Sequence, residues 1–167
     1  MNAAAIALGM QAEVLLLDKN IDRLRQADRI YRGHLQTIAS NLFEIERAVL
    51  DADLVIGAVL VPGAKAPTLI TNDLVKRMKS GSVLVDIAID QRGCFEDSRP
   101  TPHADPTYQV HGSLFYCVAN MPGAVPHTST HALTNVTLPY ALQLADRGWR
   151  DAMWADPALA LGLNTHD

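Results

Sequence analysis

Four apolar runs punctuate this chain: AEVLLL at 12–17, LVIGAVLV at 54–61, SVLVDIAI at 82–89 and SLFYCVAN at 113–120. They read as nearly continuous apolar stretches, not as an in–out alternation. A strand needs that pattern when both of its faces are covered, which is the situation in a parallel sheet packed between helices. A shorter strand is expected at 35–39. Strands therefore alternate with helices, and the expected fold class is α/β, a doubly wound and mostly parallel sheet with right-handed crossovers.

The helices are legible from spacing and caps. Ala3, Ala4, Ile6, Ala7 and Met10 give a small-residue helical face near the start. Residues 22–31 form a charged helix with Leu24 and Ala27 inward. Asn41 opens the next, with Leu42, Ile45 and Val49 on one side. Thr71 or Asn72 caps a short helix that turns Leu74, Val75 and Met78 inward. A polar stretch at 91–108, rich in Pro and His, reads as a long functional loop or a ragged hairpin. Thr128 or Ser129 is expected to cap a long helix to residue 146, striped by Leu133, Val136, Tyr140 and Leu144. Pro139 should bend it and Gly148 close it. Asp156-Pro157 opens one last short helix.

In sheets of this kind, ligands gather beyond the carboxyl ends of the strands. Those ends carry Asp18, the stretch 59–62, Asp90 and Asn120. Two acids and an amide closing apolar strands suggest a site. Asp18 follows a helix and a strand, the second half of a dinucleotide-binding unit in which an acid holds the ribose hydroxyls. The glycine-rich turn that should come first is not in the sequence. Net charge is −4, so no basic footprint points to nucleic acid. A hydrophobic share of 49% with 19% charged residues suits a globular chain and not a disordered one. No apolar run is long enough to span a bilayer and no signal peptide is evident, so the cytoplasm is the expected location. Cys94 and Cys117 read as free thiols, Cys117 as core.

The motifs NAAAIALGM, LVIGAVLVPGAKAP, SVLVDIAIDQRG, VANMPGAVP and LTNVTLPYALQLA follow one another through nearly the whole chain. In this the sequence resembles the NAD-binding part of alanine dehydrogenases. The resemblance implies that the first catalytic domain, the first Rossmann strand and the glycine loop lie upstream of Met1, with further sequence after Asp167. Residues 1–127 would then be an incomplete Rossmann-type domain lacking its first strand, and 128–167 a helical return segment toward the absent catalytic domain. It also implies NAD as cofactor, and reversible oxidative deamination of L-alanine to pyruvate and ammonia by a homo-oligomeric oxidoreductase. Asp18, with Arg23 beside it, would bind the adenine-ribose hydroxyls, and Ser40 would line the adenine side. Val59 and Leu60 would border the cofactor. Ile87, Ala88, Ile89 and Asp90 would approach the nicotinamide ribose, and Val118, Ala119, Asn120 and Met121 the nicotinamide end. Asp90 resembles the family's catalytic carboxylate, which works there with a His, a Lys and an Arg of the first domain. Arg92 stands where the family usually has a glycine, and His131 where it has an aromatic residue.

Other readings stay open. One is a non-catalytic remnant that binds nucleotide or a partner; another is the related soluble domain of nicotinamide nucleotide transhydrogenase. HTSTH at 127–131 has the histidine spacing of a zinc-protease helix without its Glu, so a plain helix start is expected there and no metal site. His103 and Asp105 read as solvated loop, and Trp149 and Trp154 as core or interface.

Overall fold

The apolar runs do become strands, though shorter ones than the sequence suggests. The computed structural model describes residues 1–59 and 67–165, in two units, Met1–Ala119 and Asn120–Asp167. The first unit runs α1 (Asn2–Gly9), β1 (Leu15–Asp18), α2 (Ile21–Tyr31), β2 (Gln36–Ala39), α3 (Leu42–Asp51), β3 (Leu54–Gly57), α4 (Asn72–Arg77), β4 (Val83–Asp86), β5 (Thr107–Val110) and β6 (Ser113–Tyr116). A single 3-10 turn, Ile89–Gln91, follows β4.

Side-chain caps set where the helices start. Asn20 Oδ1 accepts the amides of Asp22 at 2.9 Å and Arg23 at 3.2 Å, and Asn41 Oδ1 accepts Glu44 N at 3.0 Å. Thr71, not Asn72, caps α4. Each takes up an amide that the first helical turn leaves without a partner. β1 and β2 pair in parallel, Asp18 opposite Ala39. The other strands form a sheet in the order β3-β4-β6-β5, in which the first three are parallel. β5 is antiparallel to β6. The polar stretch thus resolves into the 3-10 turn, a connection and a hairpin.

One core serves both sheets. Ile45 and Val49 of α3, Leu74 and Val75 of α4, Leu84 of β4 and Phe115 of β6 form its centre, and Leu17 of β1 packs against it. Phe115 meets Phe95 edge-on at 6.2 Å and stacks on Tyr108 at 5.4 Å. Burying one such ring stabilises by about 1.5–3 kcal/mol. Gly57 lies so close to Cys94 and Phe95 that a Cβ would stand 2.4 Å from the Cys94 Sγ. Leu24 and Ala27 are buried as expected, whereas Ile6 and Met10 of α1 are exposed.

Among the described residues, β1 is laddered to β2 alone, and β3 to β4 alone. Each has one edge open. Leu54 and Ile56 of β3 are exposed.

The second unit begins with a 3-10 turn, Met121–Ala124, and continues as α5 (Pro126–Ala155) and α6 (Pro157–Ala160). α5 starts earlier than expected, at Pro126, whose fixed φ suits a first helical turn. Ser129 does not cap it; its hydroxyl donates to the Pro122 carbonyl at 2.8 Å. The backbone stays helical through Pro139 and breaks at Gly148, with φ 75° and ψ 160°. Asp156 caps α6 through Ala158 N at 2.9 Å. Trp154 is 92% exposed, so it is not core.

Candidate functional site

β1 and β2 deliver their carboxyl ends side by side. Ser40 N donates to the Asp18 backbone oxygen at 2.9 Å, so these two residues meet where the ladder ends. The Asp18 carboxylate accepts Asn20 N on Oδ1 at 2.8 Å, and Arg23 lies 3.9 Å from Oδ2. Arg23 is mostly exposed, and an exposed pair at that distance contributes little stability. Its effect is on direction, since it stands beside the acceptor Oδ2. This carboxylate is half-buried and fixed on one side. It fits a pair of vicinal hydroxyls, each of which donates one proton.

The second group of residues follows β4. The sequence suggests a strand through Ile89, but the chain leaves the sheet at Asp86. Two interactions turn it. Ile87 N donates to Gly57 O at 2.8 Å, tying the exit to β3. Asp86 then accepts its own neighbour, Ala88 N, at 3.0 Å, and Cys94 N at 2.8 Å. The intervening turn folds on itself, with Gln91 N and Gly93 N both donating to Ala88 O. Arg92 and Gly93 both take left-handed φ, 70° and 71°. For Arg92 that backbone costs roughly 1–2 kcal/mol relative to a glycine's freedom.

This turn sorts its side chains. Ala88 and Ile89 belong to the core, so any cofactor contact they make runs through backbone. Ile87 is 47% exposed and Asp90 is exposed. Val118 is likewise buried, at 1%, while Ala119 is exposed. In the second unit, Asn120 accepts Gly123 N at 3.2 Å and Met121 is half-buried. Val59 is half-buried and packs against the core; Leu60 lies outside the described residues.

One residue of this region escaped the sequence reading. Asp86 is fully buried, and besides two amides it accepts the Ser98 hydroxyl and, at 3.5 Å, the Cys94 thiol. Leaving one such buried partner unmatched costs about 1–3 kcal/mol. Burial above all, and then the Asp86 charge, push the Cys94 thiol up to about 12. Burial, with the Cys117 contact, raises Tyr108 too. The available signal was the acid that interrupts an otherwise apolar run.

His127 and His131 of α5 meet edge-to-face at 4.7 Å, and among the described residues no group of three metal-ligating side chains occurs. A cavity of about 490 Å³ lies among Leu8, Gln11, Ile30 and His34, at the amino ends of β1 and β2, away from the residues above. No described helix is long and apolar enough to cross a membrane.

Comparison with known proteins places this arrangement. A family model described as "Alanine dehydrogenase/PNT, C-terminal domain" matches residues 1–167. An alanine dehydrogenase of Mycolicibacterium smegmatis is 63% identical over 166 residues, 99% of this chain and 45% of that relative. The chain thus spans less than half the length of this relative. A solved L-alanine dehydrogenase superposes with a TM-score of 0.92 at 50% identity, covering 98% of this chain and 45% of the other. A transhydrogenase from Sinorhizobium meliloti follows with a TM-score of 0.61 and 26% identity, over 75% of this chain and 36% of the other. The likeness to transhydrogenase is the weaker one. Both sheets with their strand ends, the turn after β4 and the match along the full length agree: the chain belongs to the family of alanine dehydrogenase/PNT C-terminal domains.

Proposed function

We propose that this chain is the NAD-binding half of an NAD-dependent L-alanine dehydrogenase of the cytoplasm, acting as part of a homo-oligomer. The observation that carries the reading is the half-buried Asp18 carboxylate at the carboxyl end of β1, braced by Asn20 and flanked by Arg23 and Ser40. An acid in that place accepts the two ribose hydroxyls and repels a 2′-phosphate, which selects NAD over NADP. When bound, NAD takes up the hydride from the substrate carbon.

The chain's own residues do the remaining work assigned to them. Asp18 fixes the adenosine end, with Ser40 on the adenine side. Ile87 and the backbone of Ala88 and Ile89 limit where the nicotinamide ribose can lie. Asn120 and Met121 border the nicotinamide end. Asp90 is exposed on the turn after β4 and acts on the proton of the reacting amine or on the charge beside it. The His, Lys and Arg with which the family's carboxylate works match no position in this chain, and it contains no G-x-G-x-x-G cradle for a pyrophosphate. Isolated, it should bind NAD weakly and form no NADH from alanine.

Calorimetry with NAD, paired with a spectrophotometric assay for alanine-dependent NADH, tests both statements. The expected result is weak binding that Asp18→Ala removes, with no turnover. NADH formation abolished by Asp90→Asn would show that the chain needs no partner residues. No binding at all would favour a remnant without a cofactor.

A further inference from the structure

We propose that Asp86 is the positioning residue of the cofactor-facing turn: its carboxylate gathers both ends of the 87–93 excursion and so holds Ile87 and Asp90 out beyond the sheet. This deepens the reading of the site as one for NAD and rests on it.

The turn departs from β4 and returns to the same two oxygens. Ala88 N, two residues on, donates to Oδ1 at 3.0 Å, and Cys94 N, eight residues on, donates to Oδ2 at 2.8 Å. The Ser98 hydroxyl donates to Oδ2 as well. Nothing of this carboxylate reaches solvent. A strand that only had to pack would do as well with an apolar residue here, because a buried charge carries a desolvation cost that burial of a hydrocarbon avoids. The anion is matched by donors drawn from both ends of one loop, which makes it a clamp on that loop's shape.

The neighbours are built around the same clamp. A Cβ at Gly93 would stand 2.6 Å from the Asp86 Oδ2 and 2.6 Å from the Ser98 Cβ, and Gly93 also has φ 71°. Ile87 N is held by Gly57 O of β3. With these points fixed, Ala88 and Ile89 face the core while Ile87 and Asp90 do not. An amide in place of the carboxylate keeps the volume but turns an NH₂ toward a donor. Asp86→Asn therefore breaks the clamp without opening a cavity.

The test uses the whole 167-residue chain. Amide hydrogen exchange is followed by NMR in the wild type, in Asp86→Asn and in the milder Ser98→Ala. Affinity for NAD is compared with affinity for ADP-ribose, which lacks the nicotinamide. In Asp86→Asn, exchange at Ala88 and Cys94 should rise about tenfold relative to Leu84 and Val85 of β4. NAD affinity should fall by about the same factor, while ADP-ribose affinity stays unchanged. A residue that only stabilised the fold would move both ligands together, and that result overturns the proposal. Unchanged protection at Ala88 and Cys94 overturns it as well. Should Asp86→Asn fail to fold, Ser98→Ala decides: faster exchange at those two amides alone supports the clamp, and no change refutes it. If the wild type binds neither ligand, the cofactor reading fails, and the exchange comparison still settles whether Asp86 shapes the turn.

Discussion

Cys94 has no exposed surface and sits against the Asp86 carboxylate. The unfolded chain releases this thiol proton near 9.0, while the folded chain keeps it to about 12. A group whose pKa is raised by folding contributes stability that is fully present below its unfolded pKa and lost as pH rises toward the folded one. Between pH 9 and 12, Cys94 should therefore cost the fold up to about 1.4 kcal/mol per pH unit. Urea melts over that range are the check: Cys94→Ala should flatten the decline, and an unchanged slope would assign it to other groups. Residues at this scale were unevenly legible. Asp18 was readable because an acid closing an apolar strand has a known use. Asp86 was not, because an acid inside an apolar run shows its purpose only when Cys94 and Ser98 come back to meet it.

Among the elements, α2 ties structure to site most directly. Asn20 caps it, receives Arg23 N, and itself donates to Asp18. Asn20→Ala should cost about 1 kcal/mol of stability. It should also loosen the Arg23 side chain from Asp18, since the first turn then frays. Thermal melts give the first number, and a weaker pull-down on NAD affinity than that of Asp18→Ala gives the second; a neutral melt would mean water replaces the cap without loss. Helix starts were legible at Asn41 and Asp156, where a capping side chain opens an apolar pattern, whereas the Asn20 cap of α2 emerged only in the structure. Strand ends were not. Gly57 and Asp86 both leave the ladder inside an apolar run, because hydrophobicity marks burial and not hydrogen-bond partners. β5 was legible only as one half of a ragged hairpin: its Tyr108 is half-buried, with the Arg99 guanidinium 3.9 Å above the ring, in a stretch that otherwise reads as polar.

At the scale of the molecule, the two open edges matter most. Among the described residues, β1 and β3 are each laddered on one side only, and Leu54 and Ile56 lie exposed along the second. Leu133, Val136 and Tyr140 of α5 are exposed too. Apolar edges of this kind recruit other strands. The purified chain should self-associate at micromolar concentration in sedimentation experiments. A single monomeric species with a sharp melt would mean that the edges are closed in solution. That the chain forms an α/β fold of parallel strands was legible from its runs, and the resemblance implied a missing first strand between β1 and β3; that these two strands stay in separate sheets instead of pairing with each other was visible only in the ladders.

The division into two units has a consequence for how the chain would be cut. Val118 is buried, Ala119 and Asn120 are exposed, and among the described residues the core cluster ends at Cys117. A broad-specificity protease used sparingly should nick between residue 119 and the first turn of α5. What survives should be a body of the first 119 or so residues that still melts cooperatively, because its buried core cluster lies on the near side of the cut.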